Sequence, residues 1–214
     1  MEQIIRMCIP MLSGTKITLT VFFATLAFAL PLGFALALGR ISKIKTVSKT
    51  IEIYSWIMRG TPLMLQLFFF YFVLPYFGIL LPGLAAALLA FVLNYAAYFS
   101  EIFRAGIQSI PKGQYEAAKA FGFTNGQMLR RIILPQMTKR VLPPVCNETI
   151  TLVKDTSLVY VLAMNDLLRE ARTIVQREFT MTPFLLAAIF YLVMTFIVSK
   201  IFARLETHYA RYSE

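Results

Sequence analysis

The sequence predicts an all-α membrane protein of five transmembrane helices. The N-terminus lies outside, the C-terminus lies in the cytoplasm, and a cytoplasmic helix pair joins helices 3 and 4. Three observations carry this. The 214 residues are 58% hydrophobic and only 15% charged, with a mean hydropathy of +0.67, where a soluble domain is nearer half apolar and a quarter charged. The apolar residues gather into five runs of about the twenty residues that a helix needs to cross hydrocarbon. Lysine and arginine sit mostly on one side of those runs, and basic loops mark the cytoplasmic face.

The first span is predicted over 17–39, after a mixed lead-in that reads as partly amphipathic. Pro31 and Gly33 inside it predict a kink, which neighbouring helices tolerate in a membrane. A basic loop follows, with Arg40, Lys43, Lys45 and Lys49. The second span, 52–77, places Trp56 as an interfacial anchor, and Arg59-Gly60-Thr61-Pro62 interrupts its first part. That run reads as a helix start, with Pro in a first turn, or as part of whatever closes a pathway. Residues 78–82 form a tight turn into a third span, 83–101, rich in Ala and Leu. The fourth span, 138–164, is unusual in holding Asn147, Glu148, Lys154 and Asp155, and a charged connector leads to the fifth, 183–203. The whole chain, 1–214, reads as one domain.

Charge and cysteine exclude several classes. The net charge of +10 would suggest nucleic acid in a soluble protein, but the basic residues flank apolar spans, so topology explains them and no nucleic-acid partner is expected. Cys8 and Cys146 are too few and too distant for a disulfide framework or metal site, and His208 stands alone in the polar tail. The N-terminus does not read as a cleavable signal.

An ionisable group inside a span is costly and points to function. Glu148 and Asp155 lie two helical turns apart on one face. With Thr156 and Ser157 nearby, they suit a ligand bearing an ammonium or guanidinium group. Asn94, Tyr98 and Gln66, from other spans, can add neutral hydrogen bonds to the same cavity. The alternative is that both acids pair structurally, Asp155 with its neighbour Lys154 or with another helix, and only hold the bundle together. Glu101 and Arg104, three apart, read as a surface ion pair.

The stretch 115–136, YEAAKAFGFTNGQMLRRIILPQ, is polar where its surroundings are apolar. Glu116, Ala117 and Ala118 favour helix, Gly122 is placed to end it, and Thr124 with Gln127 has the spacing of a capping box. A second amphipathic helix follows and is expected to close at Pro135. The series Glu116-Ala117-Ala118, Gly122, Ile132 and Leu134-Pro135 resembles the EAA loop of permease subunits of ATP-binding-cassette importers. Arg59-Gly60-Thr61-Pro62-Leu63 and Lys154-Asp155-Thr156-Ser157-Leu158 resemble the polar amino acid branch of that family. The resemblance runs over nearly the whole chain. It implies that the helix pair couples to a separate ATPase subunit through Glu116, Ala117, Ala118 and Gly122, where small residues allow close approach. It also implies a dimer of ATP-binding subunits carrying ATP and Mg, a second permease subunit (the same chain or a relative), and an extracytoplasmic solute-binding protein, all in a bacterial plasma membrane.

No phosphate-binding loop occurs in this chain, so neither enzymatic activity nor a cofactor of its own is expected. Asn147-Glu148 ahead of the Lys-Asp-Thr-Ser run resembles members that handle basic amino acids, with glutamine, cystine and other polar amino acids still open. A gradient-driven carrier or channel is the competing class. Five spans do not divide into the inverted repeats such carriers show, and the 115–136 stretch would have no role in one. A membrane anchoring protein would leave the intramembrane acids unexplained.

Overall fold

A small-residue stripe lets the first helix lie against the fourth. In this computed structural model, which describes residues 2–210, α1 is one helix, Glu2–Arg40. It buries Val21, Thr25, Ala29, Gly33 and Ala37 at intervals of four, so one face follows the axis. That face packs on α4 (Gly83–Gln108), whose buried Ala86, Ala87, Ala90, Ala96 and Ala97 bring the backbones together as small residues do between membrane helices. The predicted lead-in is therefore helix. Its 39 residues give roughly 58 Å of length, more than the ~30 Å hydrocarbon core.

The N-terminal third of α1 has its own partner. The stretch read as a charged connector folds as α8, Leu167–Glu178, capped by the Asp166 carboxylate, which accepts from the Leu168 and Arg169 N–H groups. Its apolar side, Leu167, Ala171 and Ile174, forms a second small core with Met7, Met11 and Ala187. A Cβ on Gly14 would lie 2.6 Å from the Asp166 carbonyl oxygen. The glycine is what lets α1 reach the start of α8.

Basic loop residues join α1 to α2, Lys45–Gly60. The Arg40 guanidinium donates to Ser48 Oγ at 2.8 Å and lies 3.2 Å from Glu52. The second span is not one rod. The chain breaks at Thr61-Pro62 and turns by 103° into the segment Leu63–Phe77, which starts as α3, Leu63–Phe68, loosens to a π-turn at Phe69–Val73 and ends as a 3-10 turn at Leu74–Phe77. Thr61 is extended, and Pro forbids the preceding residue the helical region, so the break is local in origin.

After α4 come α5, Lys112–Ala120, and α6, Asn125–Met128. The turn between them is a Schellman motif. Gly122, at φ +77°, donates to Lys119, and Phe123 donates to Ala118. The Thr124–Gln127 capping box is formed on both sides. Pro135 does not close this helix. The chain passes through a π-turn at Leu129–Ile133 into α7, Leu134–Asp155, with Pro135 in its first turn. Proline lacks an N–H and crowds the carbonyl one turn back, and the widened turn accommodates both. Beyond Asp155 the helix tightens to a 3-10 helix, Thr156–Leu162.

The last helix, α9, runs Thr182–Ala210 along α7 and α8 and shows apolar side chains such as Leu185, Leu192 and Phe196 outward. Among the described residues the secondary structure is entirely helical. Three helices are long and apolar enough to cross a membrane, or four if the bent pair is one crossing.

Candidate functional site

The break at Thr61-Pro62 opens a polar cleft of about 600 Å³ in the helix bundle. Residues 59–64 form one wall, Asn94, Tyr95 and Tyr98 of α4 a second, and Glu148, Thr151 and Asp155 of α7 a third. The two carboxylates thus face one cavity, as their spacing on α7 requires.

Two of the expected ligands mainly support the wall. The Gln66 amide nitrogen donates to the Met58 carbonyl and the Thr61 hydroxyl, both at 2.9 Å. The Asn94 amide nitrogen donates to the same Met58 carbonyl at 2.8 Å and to Gln66 at 3.2 Å. Met58 lies in the last turn of α2, where carbonyls lose their intrahelical partners, and these two amides satisfy it. Asn94 also lines the cleft, and Gln66 stands behind it. Thr156 is fully buried, its hydroxyl donating to the Val153 carbonyl, and Ser157 donates to the Lys154 carbonyl. Neither lines the cleft.

Tyr95, which nothing in the local sequence marks, holds Asp155 directly. Its phenol donates to the Asp155 carboxylate at 2.8 Å, and its ring stacks on Phe91 at 6.3 Å between centroids. As one more aromatic in an apolar run, it gave no local signal. Arg59 brings the opposite charge. Its guanidinium lies 5.4 Å from the Tyr98 ring centroid, and Glu101 is 3.9 Å away. The cleft can therefore hold a cationic group between two carboxylates and carries one cation of its own.

At the α5–α6 turn, Glu116, Ala117 and Gly122 are exposed, whereas Ala118 is buried against its own chain. Phe121, not singled out from sequence, is 83% exposed beside Gly122. An uncovered aromatic at the tip of a polar turn is the kind of group that anchors an interface.

A cleft lined by charged and polar side chains, set in a bundle with helices long and apolar enough to cross a membrane, is a feature that a membrane transport component requires. Residues 29–211 match the family described as the binding-protein-dependent transport system inner membrane component, and the chain belongs to that family of permease subunits. The arginine transport system permease protein ArtQ of Bacillus subtilis is 38% identical over 192 residues, covering 89% of this chain and 88% of that protein. The L-cystine transport system permease protein TcyB of the same organism is 36% identical over 206 residues, covering 95% and 88%. Among solved structures, an amino acid ABC transporter with histidines superimposes with a TM-score of 0.88 at 34% identity, covering 96% of this chain and 97% of that one. The chain is a polar amino acid permease of the ATP-binding-cassette class.

Proposed function

We propose that this chain is the transmembrane subunit of an ATP-driven importer that carries basic amino acids, arginine, lysine or histidine, into the cell. The carrying observation is the charge of the cleft. Glu148 and Asp155 against the single cation Arg59 leave one net negative charge. A basic amino acid, a zwitterion with one further cation, is its complement, and the charge-assisted hydrogen bonds of a carboxylate pair give such a cation orientation. The similarity to an arginine permease supports the reading. Cystine is the second reading, favoured by the comparable similarity to a cystine permease.

In this reading the chain crosses a bacterial inner membrane five times as one permease domain. The α2–α3 pair is the second crossing, α7 with its 3-10 extension the fourth, and the concentration of Lys and Arg between crossings puts the N-terminus outside. The α5–α6 turn then faces the cytoplasm and docks on an ATPase subunit through Glu116, Ala117, Gly122 and Phe121, with Ala118 seating the helix on its own chain. ATP and Mg belong to that subunit, which works as a dimer beneath two permease chains, and a solute-binding protein delivers substrate from outside. A helix pair held by a Schellman turn and a capping box moves as a body, as transmission of partner motion requires.

The test is uptake in proteoliposomes of the complex with its ATPase subunit and binding protein, using a panel of labelled amino acids. ATP-dependent accumulation of arginine or lysine is expected. Uptake driven by a gradient with the ATPase omitted overturns the assignment.

A further inference from the structure

One side chain lines two polar cavities. Besides the cleft between α2, α4 and α7, a second cavity of about 370 Å³ opens towards the α1–α2 turn, lined by Arg40, Lys49, Glu52 and Glu101. Arg59 contributes to the walls of both. In the proposed topology the second cavity lies on the cytoplasmic side of the first, since Arg40 and Lys49 belong to the basic loop.

Arg59 is loosely tied. It approaches Glu101 only to 3.9 Å and rests near the Tyr98 ring. Glu101 is already satisfied by Arg104, which donates to it at 3.1 and 2.6 Å. Moving Arg59 away therefore leaves no bare carboxylate behind, and the pair costs little to break. Arg59 also stands in the last turn of α2, beside the 103° break, and the neighbouring Gly60 has open space around its Cβ position. A small rotation at that joint swings the guanidinium through a large arc.

We infer that Arg59 is the plug between the two cavities. Held between Tyr98 and Glu101, it puts a fixed positive charge in the path of a cationic substrate, the kind of electrostatic barrier that an arginine sets in other pores. When α2 turns at Gly60, it leaves Glu101 and the path opens. The inference rests on the proposed role as a basic amino acid permease and adds the residue that keeps the cleft closed on the cytoplasmic side between cycles.

The test uses the full transporter in proteoliposomes preloaded with labelled arginine, without ATP. Arg59→Gln raises the passive efflux about fivefold, the scale of one partly exposed ion pair, and, because it also removes the one cation of the cleft, lowers the KM for arginine in ATP-driven uptake. Arg59→Lys keeps the charge and stays tight. Glu101→Gln loosens the plug from its other side and leaks as well, so it carries the test if Arg59→Gln fails to assemble. Arg59→Gln vesicles as tight as wild type, or a raised KM without leak, overturn the plug, the latter by making Arg59 a substrate ligand. A wild-type complex that pumps no amino acid with ATP overturns the functional reading itself, and a wild type that pumps beside tight variants overturns the plug alone.

Discussion

Tyr95 and Asp155, on helices far apart in sequence, are joined by a 2.8 Å hydrogen bond from phenol to carboxylate. The bond fixes one oxygen of Asp155 and leaves the other for the cleft, so the acid meets a ligand already oriented. Tyr95→Phe keeps the stack on Phe91 and removes only the donor. A hydrogen bond to a charged group contributes about 1.5–3 kcal/mol, so arginine uptake should weaken by roughly tenfold or more, read as a rise in KM with normal membrane insertion.

Glu148 has no such support from α4 and faces the cavity with Thr151 and Asp155. Glu148→Gln preserves shape and removes the charge. Uptake of arginine and lysine should fall by about ten- to a hundredfold on the same scale, with glutamine uptake changed far less. Competition assays with labelled arginine against the amino acid panel read this directly, and unchanged arginine uptake would remove Glu148 from the site.

Gly122 holds φ at +77° with no atom near its Cβ position, so a side chain there meets strain and no clash. Gly122→Val should destabilise the α5–α6 turn by about 1–2 kcal/mol. The expected result is ATP hydrolysis no longer stimulated by substrate delivery, with the order of substrate preference retained. A changed preference would mean the turn reaches the cleft.

These three sites differ in how openly the sequence shows them. Gly122 and the Thr124–Gln127 box were legible because both are settled within a few residues, and the shared face of the two α7 acids because their spacing is two helical turns. Tyr95 was hidden because its partner lies on another helix, and α8 was hidden because its charges mask an apolar face whose cover is at Met7 and Met11. The sequence pairs Ala118 with Ala117 as contact surface, but which side of a short helix faces its own chain is decided by packing, and Ala118 is the one that is buried. Pro135 was read as a terminator, since proline usually is one, and only the π-turn before it shows how the helix continues.

Gly14 meets the Asp166 backbone, which cannot step aside as a flexible side chain can. Gly14→Ala should therefore push α8 off α1, at about 1–3 kcal/mol, the usual cost of overpacking. A lower Tm of the purified complex in detergent, with the affinity of the cleft unchanged, is the expected pair of results.

Asp166 adds a pH dependence to the same contact. Burial pushes its carboxyl up to about 6, against the pull of the Leu168 and Arg169 N–H groups. The folded value lies above the ordinary one of about 3.9, so the folded protein binds this proton more tightly. That contribution is complete below about pH 4 and is lost as pH rises through about 6. The Tm of the complex should be higher at about pH 5 than at about pH 8, and Asp166→Asn, which keeps a capping oxygen and cannot titrate, should flatten the difference.

The α1–α8 contact also sets an order of events during synthesis. The Leu167 N–H finds its acceptor on Thr18, 149 positions earlier, and Met7 and Met11 are covered by the same late helix. At about 5–20 residues per second, the first helix waits roughly 7–30 s with that flank bare. A chain that stalls before residue 167 is left with this flank of its first helix uncovered and Thr18 without its late partner.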